Sequence, residues 1–600
     1  MKALVLGYLL LAGVAIAQPP PMQSGDGIWL RNAYYGEAQT FDSCLGHQPG
    51  SGMYHHHASP VCLRAQLDDN LEQVRTLRTG GVYREKTEGL VHSPILGWSF
   101  DGYPIYGPYG YADAGDGTSE VRHMRASFRL REITRRDSLP DWAMVIHPAT
   151  PQQLAENQFG PQINVRFPLG RYLEDYEFVE GHGDLDVHNG RFGVTPEFPQ
   201  GTYAYFVTVE EDGTPAFPYI LGGTYYGSVG GGQERAQPAN TQDFAPGAES
   251  ESRLLTSWAT KNAGEAAKVK SAFNPSAEAQ TTWPFQVPAG VNIATGVRTP
   301  ANADIQRVRF NDANVWVNAN GLASYTMGPW FDALQPGGIF GGWPNNLNTM
   351  YRVPRAGGTQ SGSARTGLGP VGVWVNGVAV FNALDGASYS NARGTDVGGG
   401  LVNPTAIQVS AASPERGPVA PGTLVQATPL FGAVLATTEA GISAVPWPTE
   451  LSGTTVTIVD STGTTHRARI GAVSPEQVTY LIPETAATGY ARVTIDAGVT
   501  PANFNIYIVD SYPSVYEQTQ VERSGERVFV ILTGTGLGKE DALQSTIGGV
   551  DAPVIAEKSP SPGHETYRVE VPAEVMGKGE VPVIVTNAGR RSNPVIVSIP

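Results

Sequence analysis

The sequence predicts a mainly β protein: an aromatic-rich β region followed by two Ig-like β-sandwich modules. Three observations carry this. The 600 residues include 72 glycines and 46 prolines set between short Val, Ile, Thr and Tyr runs, the composition of turn-rich β structure. From Gly27 to about Val229 the strand-like runs are dense in aromatics, as in GIWLRNAYYG, SPILGWSF and TYAYFVTV. From Thr405 to Pro600 strands of five to eight residues recur at regular intervals between Gly, Pro and Ser turns, as in TVTIVDSTG, ARVTIDAG and VPVIVTNAG. That spacing is the mark of β-sandwiches.

Taken in order, residues 1–17 open on one lysine, continue as an apolar stretch and close on Ala15-Ile16-Ala17. This is the pattern of a secretory signal peptide, with the mature chain starting near Gln18. Residues 18–230 form the His-rich β region, with short helices expected near 64–77 and 151–158. Residues 231–300 lose all periodicity, apart from an Ala- and Lys-rich run suited to a short helix, and read as a linker. Over 301–403 the β pattern returns, and two Val-Trp-Val-Asn runs beside glycine turns read as hairpins. Residues 404–510 and 511–600 are the two sandwich modules, giving a chain of the several-domain size its length implies.

Composition excludes some partners. The formal charge is −16 with 16% charged residues and no basic tract, so neither nucleic acid nor an anionic membrane surface fits as a partner. No later apolar run reaches the roughly 18 residues of a membrane span. The expected location is therefore secreted, periplasmic or cell-surface. Such compartments permit disulfides, and the two cysteines, Cys44 and Cys62, would close a loop around a histidine run. The competing reading is that Cys44 and His47, in a Cys-x-x-His spacing, both bind a metal.

Nine of the eleven histidines lie between His47 and His188, and three form the run Tyr54-His55-His56-His57. In an extended segment His55 and His57 share one face while Tyr54 and His56 share the other. Imidazoles at i and i+2 suit a shared metal ion, and His47 lies eight residues upstream of His55 in the same loop. His92 and Asp101 are further candidates to complete the set. Three imidazoles and a carboxylate suit a transition metal, zinc or copper, and are wrong for magnesium or calcium. A second cluster, His182, Asp184, Asp186 and His188, alternates along one face; it could add ligands to the first site or form its own, or be a solvated polar loop, the reading favoured. His123 and His147 have no partner spacing and read as structural. No Gly-x-Ser-x-Gly elbow and no His-Glu-x-x-His helix occurs.

The runs GMYHHHASPVCL, HSPILGWSFDGYPIYGPYGY, NGRFGVTPEFPQGTYAYFVT and FPYILGGTYYG resemble the bacterial YHYH family. The third position of its namesake motif is here His56. Ala301–Asn391 resembles the same family through VNANGLASYTMGPW, YRVPR and GPVGVWVNGVAVFNALDGASYSN. In the family that stretch precedes the histidine run, so the resemblance implies a circularly permuted domain assembled from two chain segments. The last block resembles a C-terminal module of exported bacterial proteins, through Gly417-Pro418-Val419-Ala420-Pro421-Gly422 and Trp447-Pro448-Thr449-Glu450-Leu451. Neither resemblance brings an established activity. The expectation is a metal-binding extracellular binding or structural protein, its His-rich β domain presented on Ig-like modules to an extracellular or cell-surface ligand. The alternative is a metal-dependent extracellular hydrolase or oxidase using the same histidines.

Overall fold

The computed structural model describes residues 24–244, 305–398 and 406–600, save for single residues and short stretches within them, of which 328–343 is the longest. The expected signal peptide and the expected helix of the linker lie outside the described residues. The described residues are mainly β.

The N-terminal domain is built on an eight-stranded sheet. Its strands run in the order Gly190–Gly193, Thr202–Phe206, Pro104–Tyr106, Ile95–Ser99, Gly372–Trp374, Ala379–Val380, His55–His56 and Gly46–His47. The two strands at 372–380 form a tight hairpin around Gly377, whose φ of +80° is glycine's to adopt. They sit in the middle of the sheet, antiparallel to Ile95–Ser99 on one side and parallel to His55–His56 on the other. Trp374 is fully buried and occupies the space a side chain on Gly97 would need, a Cβ there falling 2.6 Å from its ring. Two segments far apart in sequence therefore complete one sheet.

Two further sheets repeat the pattern. Leu30–Asn32 pairs with Leu384–Ser390, which pairs with Thr395–Gly398. A five-stranded sheet runs Gly232–Glu234, Thr349–Pro354, Asn314–Ala319, Ile305–Phe310, Gln242–Asp243. Residues 232–234 and 242–243, which composition assigns to the linker, thus form both edges of that sheet. Short edge strands need little hydrophobic patterning, because only their backbone is recruited. A single hydrophobic core joins Trp29, Tyr54 and Leu63 of the first segment to Val317, Val353 and Trp374 of the second.

The helix expected over 64–77 is a correction. A helix spans only Val61–Gln66, and Leu71–Leu77 is a strand paired with Gly80–Glu85. Asp68 and Asn70 take positive φ, which ends the helix, and the glycines at 80 and 81 open the return strand. The helix expected at 151–158 is one turn of 3₁₀ helix, Glu156–Gln158.

Residues 406–508 form two facing sheets with their own core, in which Val456, Ile458, Val493 and Ile495 alternate inward. Residues 514–599 form a second such pair around Val530, Leu532, Val583 and Val585. Both are β-sandwiches with period-two burial along their long strands. Arg75, on the hairpin at 71–85, bonds the Ala412 carbonyl at 2.6 Å and the Glu517 carboxylate at 2.9 Å, tying the first domain to both modules.

Because the central hairpin of the large sheet comes from residues 372–380, residues 18–230 expressed alone are expected to lack a cooperative thermal transition. Adding residues 290–403 in trans should restore it, followed by near-ultraviolet circular dichroism. A cooperative melt of 18–230 alone would show that the first segment folds without the second.

Candidate metal centre

The site begins with strand pairing. Gly46–His47 runs antiparallel to His55–His56, and the register sets His47 directly opposite His55. Side chains directly opposed on neighbouring strands lie on the same face. His57 follows two residues after His55 and returns to that face. The disulfide Cys44–Cys62, with Cα atoms 5.1 Å apart, closes the loop that carries all three. A side chain on Gly46 would overlap the Tyr54 ring, so glycine is what lets the strands approach.

The three imidazoles meet nitrogen to nitrogen. His47 Nε2 lies 3.0 Å from His55 Nε2, which lies 2.9 Å from His57 Nε2. All three residues are buried, at 1, 3 and 2% exposure. Each ring's other nitrogen has a partner that fixes its proton. His55 Nδ1 donates to the Met53 carbonyl at 2.8 Å, and His57 Nδ1 donates to the Asn382 carbonyl at 2.6 Å. Thr40 Oγ1 donates to the Glu37 carbonyl at 2.7 Å, leaving its lone pairs to accept from His47 Nδ1 at 2.6 Å. With the proton on every Nδ1, every Nε2 presents a lone pair. Three lone pairs at such separations repel unless a cation lies among them.

Burial supports the neutral form. It holds His47 and His55 well below the ordinary imidazole range, with the neighbouring histidines adding to the effect. Neutral imidazole is the ligating form. Two ligands bound at about 2.0–2.1 Å and separated by roughly 90–110° stand about 2.9–3.4 Å apart, the range seen between neighbouring Nε2 atoms here. His47, His55 and His57 are thus a buried triad that could hold a metal ion.

Around the triad the walls are aromatic. Phe381 stacks on His55 with centroids 3.8 Å apart, and Phe41 lies edge-on to His47 at 4.8 Å. The far face of the strand carries a separate network: Tyr54 donates to Asp42 at 2.9 Å, and His56 Nε2 meets the Tyr325 hydroxyl at 2.9 Å. Burial holds His56 down to about 3. The alternation expected of Tyr54-His55-His56-His57 is present, and His56 takes no part in the triad.

Two residues expected at the site are placed elsewhere. His92 packs its ring against Tyr106 and Tyr111, with centroids 5.0 and 4.9 Å away, and bonds through Nδ1 to the Ser93 carbonyl. Asp101 accepts from the Tyr205 hydroxyl at 2.7 Å and from the Gly227 amide at 2.9 Å, and also from Ser99. It anchors the turn after Ile95–Ser99. Neither joins the triad. Cys44 is no ligand either, being bonded to Cys62.

One group at the site had no sequence signal. Glu37, the last residue of the helix Ala33–Glu37, brings Oε2 to 3.2 Å from His57 Nε2 and 3.5 Å from His47 Nε2. That oxygen is buried and has no hydrogen-bond donor. The helix starts at Asn32, whose side chain accepts from the Tyr34 amide, directly after the strand that pairs with Leu384–Ser390.

The second cluster does not converge. Asp184 pairs with Arg122, Asp186 accepts from the Tyr203 hydroxyl at 2.9 Å, and His188 bonds Thr224 at 2.9 Å. His147 forms a buried pair with Glu174 at 2.9 Å.

A β domain enclosing a buried histidine triad is the class of protein that fold and site define. Residues 10–220 match a family described as YHYH protein, which supports a YHYH-domain protein. No curated protein matches the chain. Among solved structures, a crystal structure of bovine butyrophilin is similar at 16% identity, over 32% of this chain and 99% of that one, with a TM-score of 0.13, too slight to inform fold or function.

Replacing both Cys44 and Cys62 by serine is expected to lower the unfolding free energy by roughly 3 kcal/mol, from the entropy of the loop they close. Chemical denaturation measures it. An unchanged midpoint would show that strand pairing alone holds the loop.

Proposed function

We propose that this is an exported metal-binding protein, in which a transition-metal ion held by His47, His55 and His57 stabilises a β domain that two Ig-like modules present to an extracellular or cell-surface ligand. The observation that carries the metal reading is the set of three Nε2 lone pairs turned on one another in a buried site. Zinc and copper suit such a donor set. The signal-like stretch at 1–17 and the disulfide support export. Among the described residues, no helix is long and apolar enough to cross a membrane.

The same reading treats the domain as circularly permuted. Its support is the neighbourhood of Asp26 and Asn391: the Asn391 amide donates to the Asp26 carboxylate at 2.6 Å, and the strands that follow and precede them pair antiparallel, so one turn would join them. Termini this close together are what permutation requires.

An enzyme built on these histidines, a metal-dependent hydrolase or oxidase, needs a coordination position that substrate can reach. Exposures of 1–3% across the triad favour the structural role. A cleft of about 620 Å³ lies elsewhere, between Trp142, Gln152, Phe178 and His188.

Protein purified without a histidine tag is expected to carry, or on reconstitution to take up, one equivalent of a first-row transition metal. Less than a tenth of an equivalent would refute the metal reading. In the His55→Ala variant both uptake and metal-dependent thermal stabilisation should disappear. Thr40→Val removes the acceptor that orients His47, and should weaken the metal about 10- to 100-fold while leaving the stoichiometry unchanged. Competition with a chromophoric chelator reads both effects.

A further inference from the structure

We propose that Glu37 is the fourth, anionic ligand of the centre, so that the site is built for a divalent first-row cation and ties the N-terminal helix to the disulfide loop. The proposal rests on the metal reading of the triad and adds a residue from outside that loop.

The geometry is the first argument. Glu37 Oε2 stands 3.2 and 3.5 Å from two of the three Nε2 atoms, at and just beyond the spacing of neighbouring ligands on one ion. Its contacts are with His47 and His57; among the described residues the ligand atoms that all lie within 4.8 Å of one another belong to the three histidines, so Glu37 swings inward to share an ion with them. The second argument is electrostatic. The carboxylate is buried, with 8% side-chain exposure, and the oxygen facing the histidines has no hydrogen-bond donor. A buried carboxylate oxygen with no donor, set against imidazole lone pairs, is unfavourable on every count unless a cation lies between them. The neighbouring charges do not supply one. The Arg31 guanidinium is engaged by Asp385, and Asp385 itself feels Glu37 as a like charge.

The chemistry of the set narrows the ion. One carboxylate neutralises half the charge of a dication and leaves a net charge of +1 in the buried site. An oxygen anion beside three imidazoles suits Zn(II) and its divalent neighbours, whereas Cu(I) prefers soft sulfur donors.

The position of Glu37 gives the ligand a structural consequence. Thr40, one turn onward, bonds the Glu37 carbonyl and His47 together, so the helix end and the first ligand strand move as one. His57 is held by the Asn382 carbonyl of the second segment. An ion bound to Glu37 and the triad therefore fastens three pieces of chain: the helix at 33–37, the loop at 44–62, and the segment around 382.

The test uses the full-length chain, stripped by chelator and titrated with Zn(II) or Co(II). Wild-type protein should bind one equivalent, and the infrared difference between loaded and stripped protein should show shifted carboxylate stretches. In Glu37→Gln those stretches should vanish, the Co(II) ligand-field spectrum should change, and Zn(II) affinity should fall at least about 100-fold, the upper end of what losing an outer partner costs. Glu37→Asp should recover part of the affinity. His92→Ala, remote from the site, should match wild type. A Glu37→Gln variant with wild-type affinity and spectrum would overturn the proposal and leave the triad standing as a three-ligand centre. Wild-type protein that loads metal without any carboxylate shift would overturn it as well, and needs no variant to fold. Folded wild type that takes up no metal, its cluster satisfied by a shared proton, would overturn both this proposal and the reading on which it rests.

Discussion

Three imidazole lone pairs pressed together in a dry site are the constraint around which the rest of this domain is arranged. Lone pairs at 2.9–3.0 Å repel unless a metal ion or a shared proton lies among them, and three separate hydrogen bonds keep them in that state. The Met53 and Asn382 carbonyls and the Thr40 hydroxyl each hold a proton on Nδ1. Had the same partners faced Nε2, the cluster could have satisfied itself by ordinary hydrogen bonds. The orientation is set by the backbone, through strand register at His47 and His55 and through the hairpin that delivers residue 382.

How much of this was legible in the sequence varies with the range of the interaction. The alternation of His55 and His57 against Tyr54 and His56 is a local property of an extended strand, and the residues alone reveal it. The nearness of His47 follows from the cysteines that close the loop. The fourth group does not follow. Glu37 sits in Asn32-Ala33-Tyr34-Tyr35-Gly36-Glu37, where nothing in the spacing marks it as a ligand, and it reaches the site only because the preceding strand pairs with residues 384–390. Asp101 is the converse case. It looks like a ligand in Phe-Asp-Gly-Tyr, but its carboxylate is consumed by Tyr205, Gly227 and Ser99, partners that only the folded sheet brings near. The short helix expected near 64–77 is present only as Val61–Gln66, because the composition of Leu71–Leu77 suits either state and cross-strand pairing with 80–85 decides between them.

The β character was the easiest feature to read and the assembly the hardest. Strand-like runs and glycine turns are local. That the hairpin at 372–380 should lie in the centre of a sheet begun at residue 46 is not local, and periodicity cannot show it. The large sheet also departs from simple antiparallel order at two places, Thr202–Phe206 beside Pro104–Tyr106 and Ala379–Val380 beside His55–His56, both parallel. Parallel neighbours require a long crossover connection, and the second of these joins the two segments next to the histidines.

Buried charges show why two such distant segments meet in one register. Arg31 of the first segment pairs with Asp385 of the second, and Arg171 with Asp396, which also accepts from the Tyr172 hydroxyl at 2.7 Å. All four charged groups are at most 5% exposed. Pairs of this kind contribute little net stability, since desolvation offsets the attraction. Their effect is on alternatives: a misaligned second segment would leave Arg31 or Arg171 charged and alone in a dry site, a penalty of about 3–5 kcal/mol each. The Arg31–Asp385 pair sits beside Glu37, within the same strand and helix that carry it to the histidines. The register that satisfies the ion pair is therefore the register that delivers a carboxylate to the triad, and the histidine cluster inherits its geometry from a charge match some 350 residues apart in sequence.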